Sequence, residues 1–151
     1  MKEMCKRDKL SYEVLSLDDP YAVEKWCEEK RETTLKSLDV VIHNAGLSMR
    51  EQFINTTSEM NDKLVDIDFL SILAMVKGLH PSMNPGSTHC GVGSLAGVIG
   101  APIRTYYCGV KGALNGFMKV LDAELANEDI HCMVANPGYV RTNVSINSVS
   151  I

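Results

Sequence analysis

No stretch of this sequence approaches the ~18 consecutive apolar residues that a membrane-spanning helix needs. Its opening residues, Met1-Lys2-Glu3-Met4-Cys5-Lys6-Arg7, are charged and lead into no apolar core, so they do not read as a secretory signal. Basic excess is missing too. Fifteen Lys and Arg stand against 19 Asp and Glu, a net charge of −4, which argues against a nucleic-acid footprint or a polybasic membrane surface. Cys5, Cys27, Cys90, Cys108 and Cys132 are odd in number and show no C-x-x-C spacing. They read as reduced thiols of an intracellular protein, cytoplasmic or associated with the endoplasmic reticulum. His43, His80, His89 and His131 are scattered, without the i, i+4 or acidic spacing of a metal site, and no metal is expected.

What is present is the patterning of one α/β domain of 151 residues, long enough to bury a core. The apolar run 12–17, closing at Asp18-Asp19-Pro20, predicts a strand followed by a helix start. Residues 21–36 read as helical, and 38–42 as a parallel strand covered on both sides, ended by Gly46. Ser58 suits the N-cap of a helix over 58–80, in which Met60, Leu64, Ile67, Leu70, Met75 and Leu79 recur at helical spacing. A weak strand is expected over 87–93, where His89, Gly91 and Gly93 lower strand propensity. A long helix over 105–127 and a last strand over 130–135 complete the alternation. Strands alternating with helices predict a parallel sheet with right-handed crossovers.

Chemistry enters with Tyr107 and Lys111, four residues apart and so on one face of a helix. A phenol is a poor base at neutral pH until a cation stands beside it. The bare pair is common, and alone it reads as an exposed helix turn. Its company changes that reading. Ser94 leaves one predicted strand, His43-Asn44-Ala45-Gly46 leaves another, and Pro137-Gly138-Tyr139-Val140-Arg141-Thr142 follows the last. Ligands of an open parallel sheet bind at the carboxyl ends of its strands, so these elements converge at one edge. A Tyr-Lys pair with a serine hydroxyl suits proton transfer to and from an alcohol or carbonyl oxygen.

Gly91-Val92-Gly93-x-x-x-Gly97 is one residue too long for a dinucleotide fingerprint, and Pro102 stands where the following helix would run. These glycines read instead as the floor beneath Ser94. Asp68 interrupts an apolar helix stripe, either as a partly exposed carboxylate or as a charge turned toward Lys111.

The segments Ser94-Leu95-Ala96-Gly97-Val98-Ile99-Gly100-Ala101-Pro102, Tyr107-Cys108-x-x-Lys111 and Pro137-Gly138-x-Val140-x-Thr142 resemble the short-chain dehydrogenase/reductase family. Within it they look most like the dehydrogenase/reductase member 7 branch. The resemblance implies a Rossmann-like parallel sheet with flanking helices. It also implies hydride transfer between NAD or NADP and a small-molecule alcohol or carbonyl substrate. By this resemblance Tyr107 is the acid/base, Lys111 holds the nicotinamide ribose beside it, and Ser94 binds the substrate oxygen. Asp68 occupies the place of an asparagine that joins the proton relay. Asp18 matches the aspartate that meets the adenine, and Asn44, Ala45 and Gly46 match the turn alongside the cofactor. Pro137, Gly138, Val140 and Thr142 match the segment cupping the nicotinamide. A homo-oligomer packed through the helices 58–80 and 105–127 is implied as well.

Two departures concern single residues: His43 replaces the first asparagine of Asn-Asn-Ala-Gly, and the anion of Asp68 is expected to pair with Lys111 and weaken its pull on Tyr107. A third is larger. The first two strands, the glycine-rich turn between the first strand and helix, and the last strand of the family have no counterpart. Residues 1–151 are therefore expected to form a partial Rossmann-type domain without full cofactor binding. Two strands should be missing between 12–17 and 38–42, leaving Leu38, Val40, Val41 and Ile42 as an unpaired apolar edge. The alternative reading is a catalytically inactive homologue acting as an interaction or dimerisation partner.

Overall fold

The computed structural model describes residues 11–140. Asp19 turns the chain into α1 (Pro20–Arg31): its carboxylate accepts the Ala22 N–H at 3.1 Å, and Pro20 sits in the first turn, where no N–H is required. Then follow β1 (Leu38–His43), α2 (Ser58–Val65), a π-helical turn (Asp66–Leu70), α3 (Ser71–Leu79) and β2 (Met83–Val92). A short α4 (Ala96–Ile99), the long α5 (Thr105–Leu125) and β3 (His131–Ala135) complete the described residues. The three strands are parallel in the order β1-β2-β3.

Register sorts the side chains onto two faces. Val41 pairs with His89, and His89 with Cys132, on the face where α3 and α5 lie; Ile42, Cys90 and Met133 form the matching row on the other. Leu114 and Met118 of α5, both fully buried, pack with Ile72 and Val76 of α3 and with Cys132. Beyond them α1 lies against α3, where Val23 and Cys27 meet Ala74 and Leu79.

Several sequence expectations need correction. Residues 12–17 form no strand: Leu15 and Leu17 pack against the α1–α3 cluster, and the backbone finds no ladder partner among the described residues. An apolar run without a neighbour to accept its N–H groups cannot become a strand. Asp18 accordingly sits in a bend rather than at a strand end. The first helix ends at Arg31, because the N–H groups of Thr33, Thr34 and Leu35 all turn back to the Lys30 carbonyl. Thr57, not Ser58, caps α2, its hydroxyl accepting the Met60 N–H at 3.2 Å. The helix over 58–80 is broken into α2 and α3 by the π turn.

β2 is also stronger than its composition suggests, ten residues long and paired on both sides. His89 and Gly91 fall on its covered face, where small or flat side chains let α5 come close. Of the expected apolar edge, Val40 and Ile42 are exposed at 59% and 63%, while Leu38 and Val41 pack inward.

Candidate active site

Lys111 shares the inner face of α5 with Leu114 and Met118, so its ammonium is carried into the molecule and only 4% of the residue is exposed. Nζ lies 3.0 Å from Asp68 Oδ2 and donates to the Val92 carbonyl at 3.1 Å. Asp68 is wholly buried, and its other oxygen accepts the Leu47 N–H at 2.6 Å. Burial pushes its carboxyl above the usual aspartate value; Lys111 and the Leu47 N–H act against that rise. Asp68 sits in the π turn, a form frequent at functional sites. The loop leaving β1 must pass close by: a Cβ on Gly46 would stand 2.9 Å from Asp68 Oδ2 and 3.3 Å from Lys111 Nζ.

Tyr107 lies one turn before Lys111 and is half-buried. Lys111 Nζ stands 5.9 Å from its ring centre, and Arg104 Cζ stands 5.7 Å from it. Ser94 leaves β2 toward the same space. Its N–H donates to Asn136 Oδ1 at 3.0 Å, and its Oγ accepts the Ala96 N–H at 3.2 Å. Asn136 donates in turn to Asn115 Oδ1 at 2.7 Å, and Asn115 donates to the Lys111 carbonyl at 2.8 Å. Two amide side chains thus tie the Ser94 loop and the exit of β3 to the helix that carries Tyr107. α4 rests directly on that helix: a Cβ on Gly97 would lie 2.7 Å from the Lys111 carbonyl carbon, so only glycine fits.

These elements enclose a cleft of about 440 Å³ at the carboxyl ends of the strands, lined by Asn44, Gly46, Ser94, Tyr107 and Lys111 together with Pro137, Gly138 and Val140. Asp68 stands behind its wall. Two further sequence candidates are not in the cleft lining. Ala45 is exposed beside it. Asp18 is exposed in its bend, where the Ser16 hydroxyl and its own backbone N–H hold its carboxyl below the ordinary value. Thr142 lies outside the described residues. His43 points away from the cleft into the covered face. Its Nε2 lies 3.2 Å from His89 Nδ1, and burial pushes both imidazoles down to about 4.

Sequence reasoning did not find Asn115, Asn136, Ser48 or Arg104. The two asparagines left a faint signal, one a helical turn beyond Lys111 and the other next to Pro137. Among the described residues no helix is long and apolar enough to cross a membrane.

The chain is similar to known proteins. A dehydrogenase/reductase SDR family member 7B from Rattus norvegicus is 34% identical over 115 residues, which are 75% of this chain and 35% of that protein. The Xenopus tropicalis member 7B is 32% identical over 139 residues, 91% of this chain and 45% of that one. The chain therefore spans less than half the length of these relatives. An alcohol dehydrogenase from the archaeon Thermococcus sibiricus, solved with 5-hydroxy-NADP, superposes with a TM-score of 0.83. It is 19% identical, and the match covers 99% of this chain and 64% of that one. At that identity the likeness establishes the Rossmann-like fold alone. The pattern described as short chain dehydrogenase matches residues 2–150. With almost the whole chain matched, the protein belongs to the short-chain dehydrogenase/reductase family, close to its member 7 branch.

Proposed function

We propose that residues 1–151 supply the proton-transfer wall of an NAD- or NADP-dependent oxidoreductase domain that interconverts an alcohol and a carbonyl. One observation carries this reading: a buried Lys111 beside the ring of Tyr107, in a cleft that Ser94 shares. The names of the relatives and the nucleotide in the archaeal neighbour support it. The exit loops of β1 and β3 flank the cleft, and Asn44, Gly46, Pro137, Gly138 and Val140 there would hold the nicotinamide end of the cofactor. A bound nicotinamide cofactor supplies or accepts the hydride.

The chain's own residues handle the proton. Ser94 Oγ already accepts from Ala96, which leaves its hydroxyl proton to donate to the substrate oxygen. Tyr107 gives its phenolic proton to that oxygen as a carbonyl is reduced, and takes it back as an alcohol is oxidised. Lys111 places a positive charge where the phenolate forms. Asp68 and the Val92 carbonyl fix that ammonium, while the carboxylate cancels part of its field.

No glycine-rich turn in this sequence offers backbone N–H groups to a pyrophosphate. The chain alone should therefore hold NAD(P) more weakly than micromolar, less than ~8 kcal/mol of binding. Joined to a glycine-rich N-terminal segment it should turn over. In that form Tyr107→Phe should slow carbonyl reduction at least ~100-fold with cofactor affinity unchanged. Equal rates would remove the assigned role.

A further inference from the structure

Arg104 has no part in the proton transfer just described, yet its guanidinium lines the same cleft. The residue before it is strained. Ile103, β-branched, holds φ at 55°, a region such side chains avoid, and its carbonyl is pinned by the Glu51 N–H at 2.9 Å. That turn delivers Arg104 to the mouth of the cleft, where Nη1 donates to Ser48 Oγ at 2.8 Å. Serine is a neutral acceptor, and no carboxylate lies within ion-pair distance of Arg104 among the described residues. The cleft lining contains no Asp or Glu, and its other cation, Lys111, is matched by Asp68. Among the described residues Arg104 therefore brings to the cavity a positive charge that no carboxylate opposes, set 5.7 Å from the Tyr107 ring. In the same lining Leu95 and Ile99 are 44% and 74% exposed and form an apolar wall.

We propose that Arg104 selects the substrate: a carbonyl or alcohol compound with an apolar body and one anionic group, a carboxylate or a phosphate. This rests on the reading of Tyr107 as the reacting end of the cleft. A guanidinium has five N–H donors in a planar fork, and only one is used here, so a two-point grip on an anion is available. The leucine and isoleucine surfaces take the apolar body out of water. A purely structural Arg104 would clamp the loop after β1 to the start of α5 and would not distinguish ligand charge.

The test is calorimetric titration of the chain, at neutral pH, with octanoate, octyl phosphate and octanol. At least one anion should bind roughly tenfold tighter than octanol, the yield of a charge-assisted hydrogen bond. The ratio of octanoate to octyl phosphate then tells carboxylate from phosphate. Arg104→Gln should abolish the preference while leaving the affinity for octanol, Arg104→Lys should keep part of it, and Ser48→Ala, which removes only the clamp's acceptor, should keep it. Equal affinities for anions and octanol, no binding of either anion, or a preference surviving in Arg104→Gln would each overturn the proposal. So would its loss in Ser48→Ala. None of these measurements uses turnover or cofactor, so the role of Tyr107 stands or falls separately.

Discussion

One face of the three-stranded sheet lies under α3 and α5, while the other is open along Val40, Ile42 and Met133, exposed at 59%, 63% and 52%. Both faces carry apolar residues of β1, Leu38 and Val41 on the covered side and Val40 and Ile42 on the open one. The difference lies in which face meets a helix. α5 covers one face with Leu114 and Met118 and, from the same helix, presents Tyr107 and Lys111 to the cleft. The side chains proposed to do chemistry therefore borrow their rigidity from the core. The open face contributes Val92 as its one residue in the cleft lining, through the end of β2. The continuous apolar run 38–42 reads as a strand covered on both sides, yet Val40 and Ile42 stay exposed; such a run does not show that both faces are filled.

The sharpest way to break this comparison is to cut a methyl-rich side chain from each face. Leu114→Ala, at a fully buried position, should cost about 2–5 kcal/mol in urea unfolding. Ile42→Ala, on the open face, should stay within about 0.5 kcal/mol of the parent. Similar losses at both positions would mean that the open face is covered in solution.

A second test uses the two histidines buried on the covered face. His43 and His89 are pushed from 6.5 to about 4, first by burial, then His43 by the His89 ring and His89 by His80. The unfolded chain binds protons that the folded chain refuses, so stability should be full above pH 6.5 and fall as pH drops toward 4. Each imidazole contributes up to roughly 3 kcal/mol to that loss, with the two coupled through their contact. His43→Asn should flatten the profile between those limits. A parent whose urea midpoint does not move over this range would contradict the neutral buried pair.

How much of this was legible in the sequence depends on whether the signal is local. The Tyr107–Lys111 spacing on a long helix, and the order of Asn44, Ser94 and Pro137 after successive strands, are local features, and both were read. The absence of a strand over 12–17 is not local. The run has strand composition, but what it lacks is a partner. The π turn is invisible for another reason: a single inserted residue shifts the phase of a helix without altering its composition, and that shift turns Asp68 inward. Asp18 was misplaced with its strand. Arg104 escaped because one cation before a helix has no spacing to recognise; only the cleft shows that no carboxylate among the described residues opposes its charge.

A third test probes the charge pair behind the covered wall. Asp68→Asn keeps an oxygen for the Leu47 N–H and removes only the negative charge beside Lys111. In the turnover-competent form, the pH optimum of carbonyl reduction should move by about one unit, equal to about 1.4 kcal/mol. An unchanged optimum and rate would mean that the carboxylate has no influence on the proton at Tyr107.

The smallest effect on folding, and the most informative about the open face, should come from Val40→Thr combined with Ile42→Thr. Both residues stay β-branched, so the strand keeps its preferred rotamers while two apolar surfaces gain a hydroxyl. Stability should change by less than about 0.5 kcal/mol, because neither residue is packed. Association should change far more. An exposed apolar row on an end strand invites a second chain, either face to face or along the edge of β1 that has no partner among the described residues. Sedimentation velocity should show the parent self-associating with rising concentration and the double variant shifted toward monomer. Amide exchange adds a positional check, since residues 11–19, without ladder partners, should exchange much faster than α5. A parent that sediments as a monomer with uniform protection would show that Val40, Ile42 and Met133 attract no partner.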